Sequence, residues 1–166
     1  MPYAYLSLGS NRDPERHLRA AAAALREHFA DVSFSCVLRT PAIGFDGPDF
    51  LNAAARMRTG LDPQALDAWL HALEAAHGRD RSAPRFSSRT LDIDIVFYDQ
   101  IVLAPTAGSH LQIPRPELQH AFVLQPLAQI AADFRDPVSG CTLAQLWAAH
   151  PQHVLPLPVA IGINPL

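Results

Sequence analysis

The stretch SSRTLDIDIVFYD, residues 87–99, decides which fold and which site the sequence favours. Its Leu, Ile, Val and Phe residues are typical of a buried strand, yet it also contains two carboxylates, Asp92 and Asp94. Buried strands avoid Asp because taking an unpaired carboxylate out of water is costly. Residues i and i+2 of a strand point to the same side, so the two carboxylates are predicted to lie side by side, with the neighbouring apolar residues on the opposite face.

A bound cation would make this pair of carboxylates tolerable. A small number of oxygen ligands suits Mg²⁺, which keeps several waters and takes the rest of its coordination shell from substrate phosphates. The alternative is a pair of solvated aspartates on the open side of a sheet. The pair alone leaves both interpretations open.

The regions on either side of this stretch predict further strands and helices. Both long helices start with an Asp-Pro pair, in which Asp suits the N-cap and Pro the first helical position. The segment FLNAAARMRT is interpreted as a strand, although its alanines also favour a helix, because a complete helical pattern begins only after it. The predicted elements are strands at 3–11, 32–40, 50–59 and 87–99 and helices at 13–29, 62–78 and 143–149.

The order of these elements indicates the fold class. A β-α-β-β-α-β succession predicts an α+β protein, a ferredoxin-like sandwich in which helices pack on a face of an antiparallel sheet. No repeat, linker or low-complexity block divides the 166 residues. We therefore expect one domain, residues 1–166, which is long enough to bury a sizeable core.

Composition and charge exclude several classes of protein. The net charge of −3 argues against a surface that binds nucleic acid or anionic membrane throughout, so any anion site must be local. No apolar run approaches the roughly 20 residues that span a bilayer, and the N-terminus lacks a signal-peptide pattern. The two cysteines show no CxxC spacing, as expected in a reducing compartment. We expect a cytoplasmic monomer that binds neither nucleic acid nor membrane.

A basic segment directly precedes the aspartate-bearing strand. GRDRSAPRFSSR, residues 78–89, contains four arginines and one acidic residue among small and turn-forming residues. Guanidinium groups bind phosphate oxygens in a bidentate manner, so an arginine loop beside a Mg²⁺ site resembles a lid over a polyphosphate. A solvated basic loop is the alternative. The sequence contains neither the GxxxxGK[ST] nor the GxGxxG pattern of other phosphate-binding loops.

Other polar residues are less informative on their own. Glu74 lies at the edge of the apolar stripe of the second predicted helix, one turn before the arginine segment, where a surface salt bridge would also explain it. The eight histidines show no HxH or HExxH spacing, which argues against a transition-metal site.

Several motifs together resemble one known family. Their order and spacing are similar to those of 6-hydroxymethyl-7,8-dihydropterin pyrophosphokinases, folate-pathway enzymes that transfer diphosphate from ATP to a pterin alcohol. The resemblance covers roughly residues 3–147, and RTLDIDI is its most specific part. The motifs are YLSLGSN at 5–11, RTPAIG at 39–44, PDFLNAA at 48–54, LEAAHGRDR at 73–81, RTLDIDI at 89–95 and IPRPELQHAFVLQPL at 113–127.

The resemblance implies roles for individual residues on the ATP side of the site. Asp92 and Asp94 match the pair that binds two Mg²⁺ ions bridging the ATP phosphates, and Arg79 and Arg89 match arginines of the catalytic loop. These four are the catalytic residues that the resemblance implies. The residues in ATP-binding positions are His71, Glu74, Arg81, Ile95, His110, Gln112, Arg115 and His120.

The resemblance also implies a pterin pocket. Main-chain groups and an Asn side chain would bind the hydrogen-bonding edge of the pterin ring, and aromatic side chains would cover its faces. The residues in these positions are Asn11, Thr40, Pro41, Ala42, Ile43, Phe50, Asn52, Phe86 and Phe122.

The sequence departs from the family pattern at several ATP-side positions. Phe86 stands where the family usually has Trp, and His110 and Gln112 replace the usual Arg and Thr. Arg115 and His120 stand where the family has His and Arg, as though the two had been exchanged. We therefore predict an active enzyme with altered nucleotide contacts.

Two other functions compete with this prediction. One is a divergent or non-catalytic paralogue that still binds a pterin or a nucleotide. The other is a ferredoxin-like RNA-binding module, which would need exposed aromatics on its central strands and a basic sheet face. The strand at 87–99 offers two aspartates instead.

Overall fold

An antiparallel sheet of five strands forms the centre of the part of the chain that the structure describes, residues 1–42, 44–78, 82 and 89–166 of a computed structural model. The strand order is β2-β4-β1-β5, and β3 pairs with β4 beside β2. Every pairing is antiparallel, as predicted. The strands are β1 Tyr3–Ser10, β2 Ala30–Phe34, β3 Leu38–Thr40, β4 Phe50–Arg58 and β5 Asp92–Tyr98.

Helices cover both faces of this sheet. The helices are α1 Pro14–His28, α2 Pro63–Ala76, α3 Ala121–Ile130 and α4 Leu143–Ala148, with 3₁₀ turns at Pro116–Gln119 and Pro151–Val154. Apolar residues of α1 and α2 share one core cluster with Leu6, Leu8 and Ile93 of the sheet. Residues of α3 and α4 share a second cluster with Tyr5 and Phe97 on the other face. The predicted α+β sandwich is confirmed. The helical layer on the second face of the sheet was not part of the prediction.

The two Asp-Pro helix starts differ in how they cap their helices. The Asp62 carboxylate accepts a hydrogen bond of 2.8 Å from the Ala65 N–H, as an N-cap should. Asp13 precedes α1 but lies in the left-handed region at φ 47°, and within the described residues its side chain makes no capping bond. The prediction of a side-chain cap at Asp13 is therefore wrong, although the helix begins where predicted.

The predicted strand at 32–40 is two strands, β2 and β3. Side chains bind the main chain between them, because Gln129 Oε1 accepts from the Cys36 N–H at 2.8 Å and Asn164 Oδ1 accepts from the Val37 N–H at 2.6 Å. These amides are thereby diverted from the sheet ladder. The prediction of one continuous strand is wrong because its partners come from distant parts of the chain.

A bulge in β5 sets which of its residues face which layer. Leu6 pairs with Ile95 and Tyr5 pairs with Phe97, so Val96 is the extra residue. Up to this point the strand alternates as predicted, with Asp92 and Asp94 on one side and Ile93 on the other. The two aspartates therefore lie on the sheet face that α3 and α4 partly cover.

The sequence did not predict α3. Pro126 lies inside it and has no N–H to donate to the Phe122 carbonyl. A proline at such a position disfavours a helix, so the local sequence does not predict one here. Its buried residues Val123, Leu124 and Leu127 form an apolar face that packs on the sheet. Among the described residues, no helix has the length and apolar character needed to cross a membrane.

Candidate active site

A cavity of about 790 Å³ lies on the aspartate-bearing face of the sheet, over the ends of β1, β4 and β5. Its wall on the other side is formed by the segment that leads into α3. It collects most of the described residues that the sequence analysis had assigned to a site. These are Thr40, Pro41, Phe50, Asn52, His71, Glu74, Arg89, Asp92, Asp94, His110, Arg115, His120 and Phe122.

One end of the cavity is a group of carboxylates. The strand register places Asp92 opposite Gly9 and Asp94 opposite Ser7, so neither aspartate has a bulky neighbour on β1. Glu74 projects from α2 and is only 1% exposed. Its Oε1 accepts a hydrogen bond of 3.0 Å from the N–H of Ile93, the residue between the two aspartates. Glu74 is thus a buried residue and does not lie on the surface.

The carboxylate end of the cavity would be stabilised by a positive charge. Burial, followed by the negative charge of Asp92, raises the pKa of Asp94 to about 8, although the Arg115 guanidinium partly opposes the rise. Within the described ranges, no group of three or more His, Cys, Asp or Glu could hold a metal by itself. Two carboxylates still fit Mg²⁺, which takes its other ligands from water and phosphate.

Arg115 supplies part of that positive charge. Its Nη2 lies 3.5 Å from Asp94 Oδ1, and its Nε lies 3.3 Å from Glu117 Oε2. Nε and Oε2 are nevertheless buried without a hydrogen-bond partner in the described part of the protein. The Arg115 N–H donates to the Val96 carbonyl at 3.1 Å, which attaches this segment to the edge strand β5. Arg115 therefore lies at the carboxylate end of the cavity.

The other end of the cavity is polar and incompletely hydrogen-bonded. Asn52 Oδ1 and Thr40 Oγ1 are buried and have no hydrogen-bond partner among the residues described. Gly9 faces Asn52 across the β1–β4 pairing, and a Cβ at Gly9 would lie 2.8 Å from Asn52 Nδ2. The glycine thus makes room for the Asn52 amide. Buried polar atoms without a partner are costly unless a ligand binds them.

Aromatic rings surround this polar end. The rings of Phe45 and Phe50 meet edge to face, with centroids 6.4 Å apart at 87°. The imidazole of His120 stacks on Phe122, with centroids 5.0 Å apart and planes within 8°. Because His120 is stacked in this way, it extends the aromatic wall beside Phe122 in addition to lining the cavity.

Arg89 is held in place by Asn11. The Arg89 N–H donates to Asn11 Oδ1 at 2.8 Å, and the Asn11 N–H donates back to the Arg89 carbonyl at 3.0 Å. Asn11 Nδ2 also donates to the Pro48 carbonyl at 3.1 Å. Asn11 lies outside the cavity lining, so its contribution is to position Arg89 and the loop at Pro48.

Several assigned residues lie elsewhere. The Ile95 side chain is fully buried in the core beneath α1 and α2, on the face that strand alternation predicts, and it does not line this cavity, where the family resemblance had placed it. Gln112 is exposed and lines a separate cavity of about 760 Å³. Ala42 is described but does not line the main cavity. Ile43, Arg79, Arg81 and Phe86 lie outside the described residues.

The structure also adds residues that the sequence analysis did not assign. Asp67 lies one helical turn before His71 in α2, and its Oδ1 is 3.5 Å from His71 Nε2. The i,i+4 spacing of this pair could have indicated it. Phe45 and Glu117 also line the cavity. In the sequence, only the position of Glu117 within the motif at 113–127 and that of Phe45 between the motifs at 39–44 and 48–54 indicated a role.

Comparison with known proteins identifies the family. A sequence profile of the family described as 7,8-dihydro-6-hydroxymethylpterin-pyrophosphokinase (HPPK) matches residues 5–132. The chain belongs to the HPPK family. The match spans the strands and the α2–β5 contact that form the carboxylate end, as well as Asn52, Thr40 and Phe122 at the polar end.

Curated relatives agree with this membership. A Pseudomonas aeruginosa protein named 2-amino-4-hydroxy-6-hydroxymethyldihydropteridine pyrophosphokinase is 36% identical over 154 residues, covering 89% of this chain and 91% of that protein. A Synechocystis protein of the same name is 41% identical over 109 residues, covering 65% of this chain and 54% of that protein. The match thus spans about half the length of the Synechocystis relative.

Solved structures support the HPPK fold. A crystal structure of wild-type HPPK-DHPS from Plasmodium falciparum with SDX-DHP superposes with a TM-score of 0.67 at 14% sequence identity. The match covers 89% of this chain and 43% of that one. At this identity the likeness concerns the fold alone.

Proposed function

We propose that this HPPK-family chain transfers diphosphate from ATP to the hydroxymethyl group of 6-hydroxymethyl-7,8-dihydropterin, giving AMP and the pterin diphosphate. One observation carries the proposal. A single cavity joins unpaired polar atoms of Asn52 and Thr40 at one end to the carboxylates of Asp92 and Asp94 at the other. The single domain, the cytoplasmic location and the monomeric state expected from the sequence are part of the same proposal.

The polar end suits a flat heterocycle. The ring N–H and amino groups of a pterin can donate to Asn52 Oδ1, and Thr40 Oγ1 can exchange a hydrogen bond with its polar edge. Phe50 and Phe122 lie where they can cover the ring faces. Binding would therefore satisfy polar atoms that the protein alone leaves unpaired, which favours a pterin over an apolar ring of the same size.

Asp92 and Asp94 are the residues that would hold Mg²⁺. Their fit rests on the burial and mutual repulsion that raise the pKa of Asp94, since a cation next to this pair would relieve both effects. The family resemblance suggests two ions. When bound with ATP, Mg²⁺ would neutralise the charge of the phosphates and orient them.

The remaining residues position the reactants. The pterin hydroxyl oxygen attacks the β-phosphorus in line and loses its proton to solvent, the bond from this phosphorus to the oxygen it shares with the α-phosphate breaks, and AMP leaves with that oxygen. Such a reaction depends chiefly on alignment and charge stabilisation. Arg89, fixed by Asn11, and Arg115, beside Asp94, can both contact the phosphates from the cavity wall.

A specific observation favours a second candidate, a divergent paralogue that binds a pterin or nucleotide without transferring diphosphate. Arg115 already lies 3.5 Å from Asp94, where a protein without a metal would need a counter-charge. In a transferring enzyme the same guanidinium must share Asp94 with Mg²⁺ or turn towards the phosphates.

Formation of AMP separates the two candidates. The purified protein is incubated with ATP and Mg²⁺, with and without 6-hydroxymethyl-7,8-dihydropterin, and AMP and the pterin diphosphate are quantified. The proposal expects equal amounts of both products, formed only when the pterin and Mg²⁺ are present. Pterin or nucleotide binding by calorimetry without AMP formation would establish the paralogue instead.

A further inference from the structure

The C-terminal segment lies beyond the residues matched by the family profile, which end at 132, and packs back onto β3. Val159 forms an antiparallel bridge with Leu38. The Ala160 N–H donates to the Val37 carbonyl at 2.8 Å, and the Arg39 N–H donates to the Pro158 carbonyl at 2.9 Å. The short strand β3 therefore has β4 on one edge and this segment on the other.

Asn164 fastens the segment to β3. Its Oδ1 accepts from the Val37 N–H at 2.6 Å, and its Nδ2 donates to the Ala160 carbonyl at 2.9 Å and to the Val37 carbonyl at 3.3 Å. Ala160 and Ile163 are 3% and 1% exposed and belong to the core cluster beneath α1. The segment is thus anchored by burial and aligned by the Asn164 amide.

The same segment is also bound to α3. Gln125 Oε1 accepts from the Leu157 N–H at 2.9 Å, and Gln125 Nε2 donates to the Leu157 carbonyl at 3.1 Å. Gln125 lies one helical turn after Phe122, the aromatic residue of the polar end. One amide side chain therefore satisfies both main-chain groups of Leu157.

These contacts converge on the two walls of the polar end. Thr40, with its unpaired hydroxyl, ends β3, and Phe122 lies in α3. β3 has only three residues, so its ladder to β4 supplies few hydrogen bonds. A segment bound to both β3 and α3 limits how far these two walls can move apart.

We propose that residues 157–164, here termed the tail clamp, position β3 and α3 so that the polar end is preorganised for the pterin. Asn164 and Gln125 are positioning residues in this arrangement, since neither lines the cavity. The identity of the ligand in this inference rests on the proposed function. The coupling between the tail clamp and the cavity walls rests on the hydrogen bonds alone.

Single substitutions can test the tail clamp in the full chain. Asn164→Ala removes the bonds to Val37 and Ala160, and Gln125→Ala removes those to Leu157. Arg19→Ala is the matched control, because Arg19 Nη2 binds the same segment at the Gly162 carbonyl, at 3.3 Å, but belongs to α1. Calorimetry measures binding of 6-hydroxymethyl-7,8-dihydropterin and, separately, of an ATP analogue with a methylene between its α- and β-phosphates, with Mg²⁺.

Both clamp variants should bind the pterin about fivefold to tenfold more weakly, with analogue affinity within about twofold of the unsubstituted protein. Arg19→Ala should change neither affinity. Pterin affinity within about twofold in both clamp variants would overturn the inference, as would an equal loss for pterin and analogue. Because Asn164→Ala perturbs a buried segment, the thermal unfolding of this variant is measured first. If Asn164→Ala does not fold, the binding test is made with Gln125→Ala alone.

Hydrogen exchange separates the failure of this inference from the failure of the proposed function. In the ligand-free protein, Gln125→Ala or Asn164→Ala should speed amide exchange in β3, at Arg39, while exchange in β1 stays unchanged. This result holds whichever ligand binds. If the unsubstituted protein does not bind the pterin yet exchange rises in this pattern, the proposed function fails and the coupling stands. Unchanged exchange in both variants would overturn the coupling itself.

Discussion

At the scale of single residues, Gly9 and Asn52 form a matched pair. A methyl group at Gly9 would lie 2.8 Å from Asn52 Nδ2, so Gly9→Ala should displace the Asn52 amide from the polar end. We expect pterin binding to weaken by about 1–3 kcal/mol in Gly9→Ala, and similarly in Asn52→Ala. Calorimetry measures the loss. Gly60→Ala is the control, since a Cβ there would meet Met1 Sδ at an ordinary 3.7 Å, and equal affinity in all three variants would contradict the pocket assignment.

Asp94 should make the metal-free protein less stable as the pH rises. Its pKa is raised from 3.8 to about 8 in the folded protein, so folding favours the protonated carboxyl. The folded state therefore loses stability from about pH 4 upward, and the loss is complete above about pH 8. Asp94→Asn removes this effect, and we expect its melting temperature at pH 8 to exceed that of the unsubstituted protein by about 2–4 °C or more.

The comparison in pH is what distinguishes this effect from general stabilisation. Thermal unfolding with EDTA is followed at pH 4 and pH 8, with the exposed Asp133→Asn as control. The gain in Asp94→Asn should disappear near pH 4. A gain of equal size at both pH values would show that the charge of Asp94 is not its cause. Added Mg²⁺ should stabilise the unsubstituted protein and leave Asp94→Asn unaffected.

Arg115 should affect ATP and Mg²⁺ in opposite directions. Its guanidinium lies beside Asp94, where it competes with a metal, and it also lines the cavity that ATP would occupy. Arg115→Ala should weaken ATP binding by roughly 1.5–3 kcal/mol, the range for a charge-assisted contact, and should tighten binding of Mg²⁺ alone. Calorimetry with each ligand, with the exposed Arg16→Ala as control, tests both signs. Unchanged ATP affinity would show that Arg115 does not replace the arginine that the family has at position 120.

At the scale of secondary-structure elements, Glu74 joins α2 to β5. Its carboxylate accepts the Ile93 N–H, and both residues are buried. Glu74→Gln keeps an acceptor for this N–H, whereas Glu74→Ala leaves it without a partner. We expect Glu74→Ala to lower the free energy of unfolding by about 1–3 kcal/mol and Glu74→Gln to lower it much less. Urea unfolding measures both, and equal losses would mean that the carboxylate charge, not the hydrogen bond, matters.

Also at this scale, the elements that the sequence predicted are those governed by local patterns. Asp62 caps α2 through its own side chain, and the alternation of β5 is visible in four consecutive residues. The break between β2 and β3 was missed because Gln129 and Asn164 supply the partners for its amides. Helix α3 was not predicted; Pro126 lies inside it, and its apolar face is recognised only once it packs on the sheet.

At the scale of the whole molecule, the cavity combines residues from widely separated parts of the chain. Its walls come from the end of β1, from β3 and β4, from α2, from β5 and from the segment leading into α3. The family-like motifs predicted most of this set, because each motif marks one wall. They did not predict that Asn11 binds the Arg89 main chain, since this contact depends on side-chain direction after folding.

The sequence by itself determined the aspartate pair, because a strand's two-residue repeat places Asp92 and Asp94 on one side whatever surrounds them. It also determined the layered α+β arrangement, through the order and periodicity of its elements. Only the tertiary structure decided which groups face that pair. Glu74 reaches it through the Ile93 amide and Arg115 through an ion pair with Asp94, and both contacts join residues about 20 positions apart. No local repeat encodes such distances, because they follow from how helices and loops pack on the sheet.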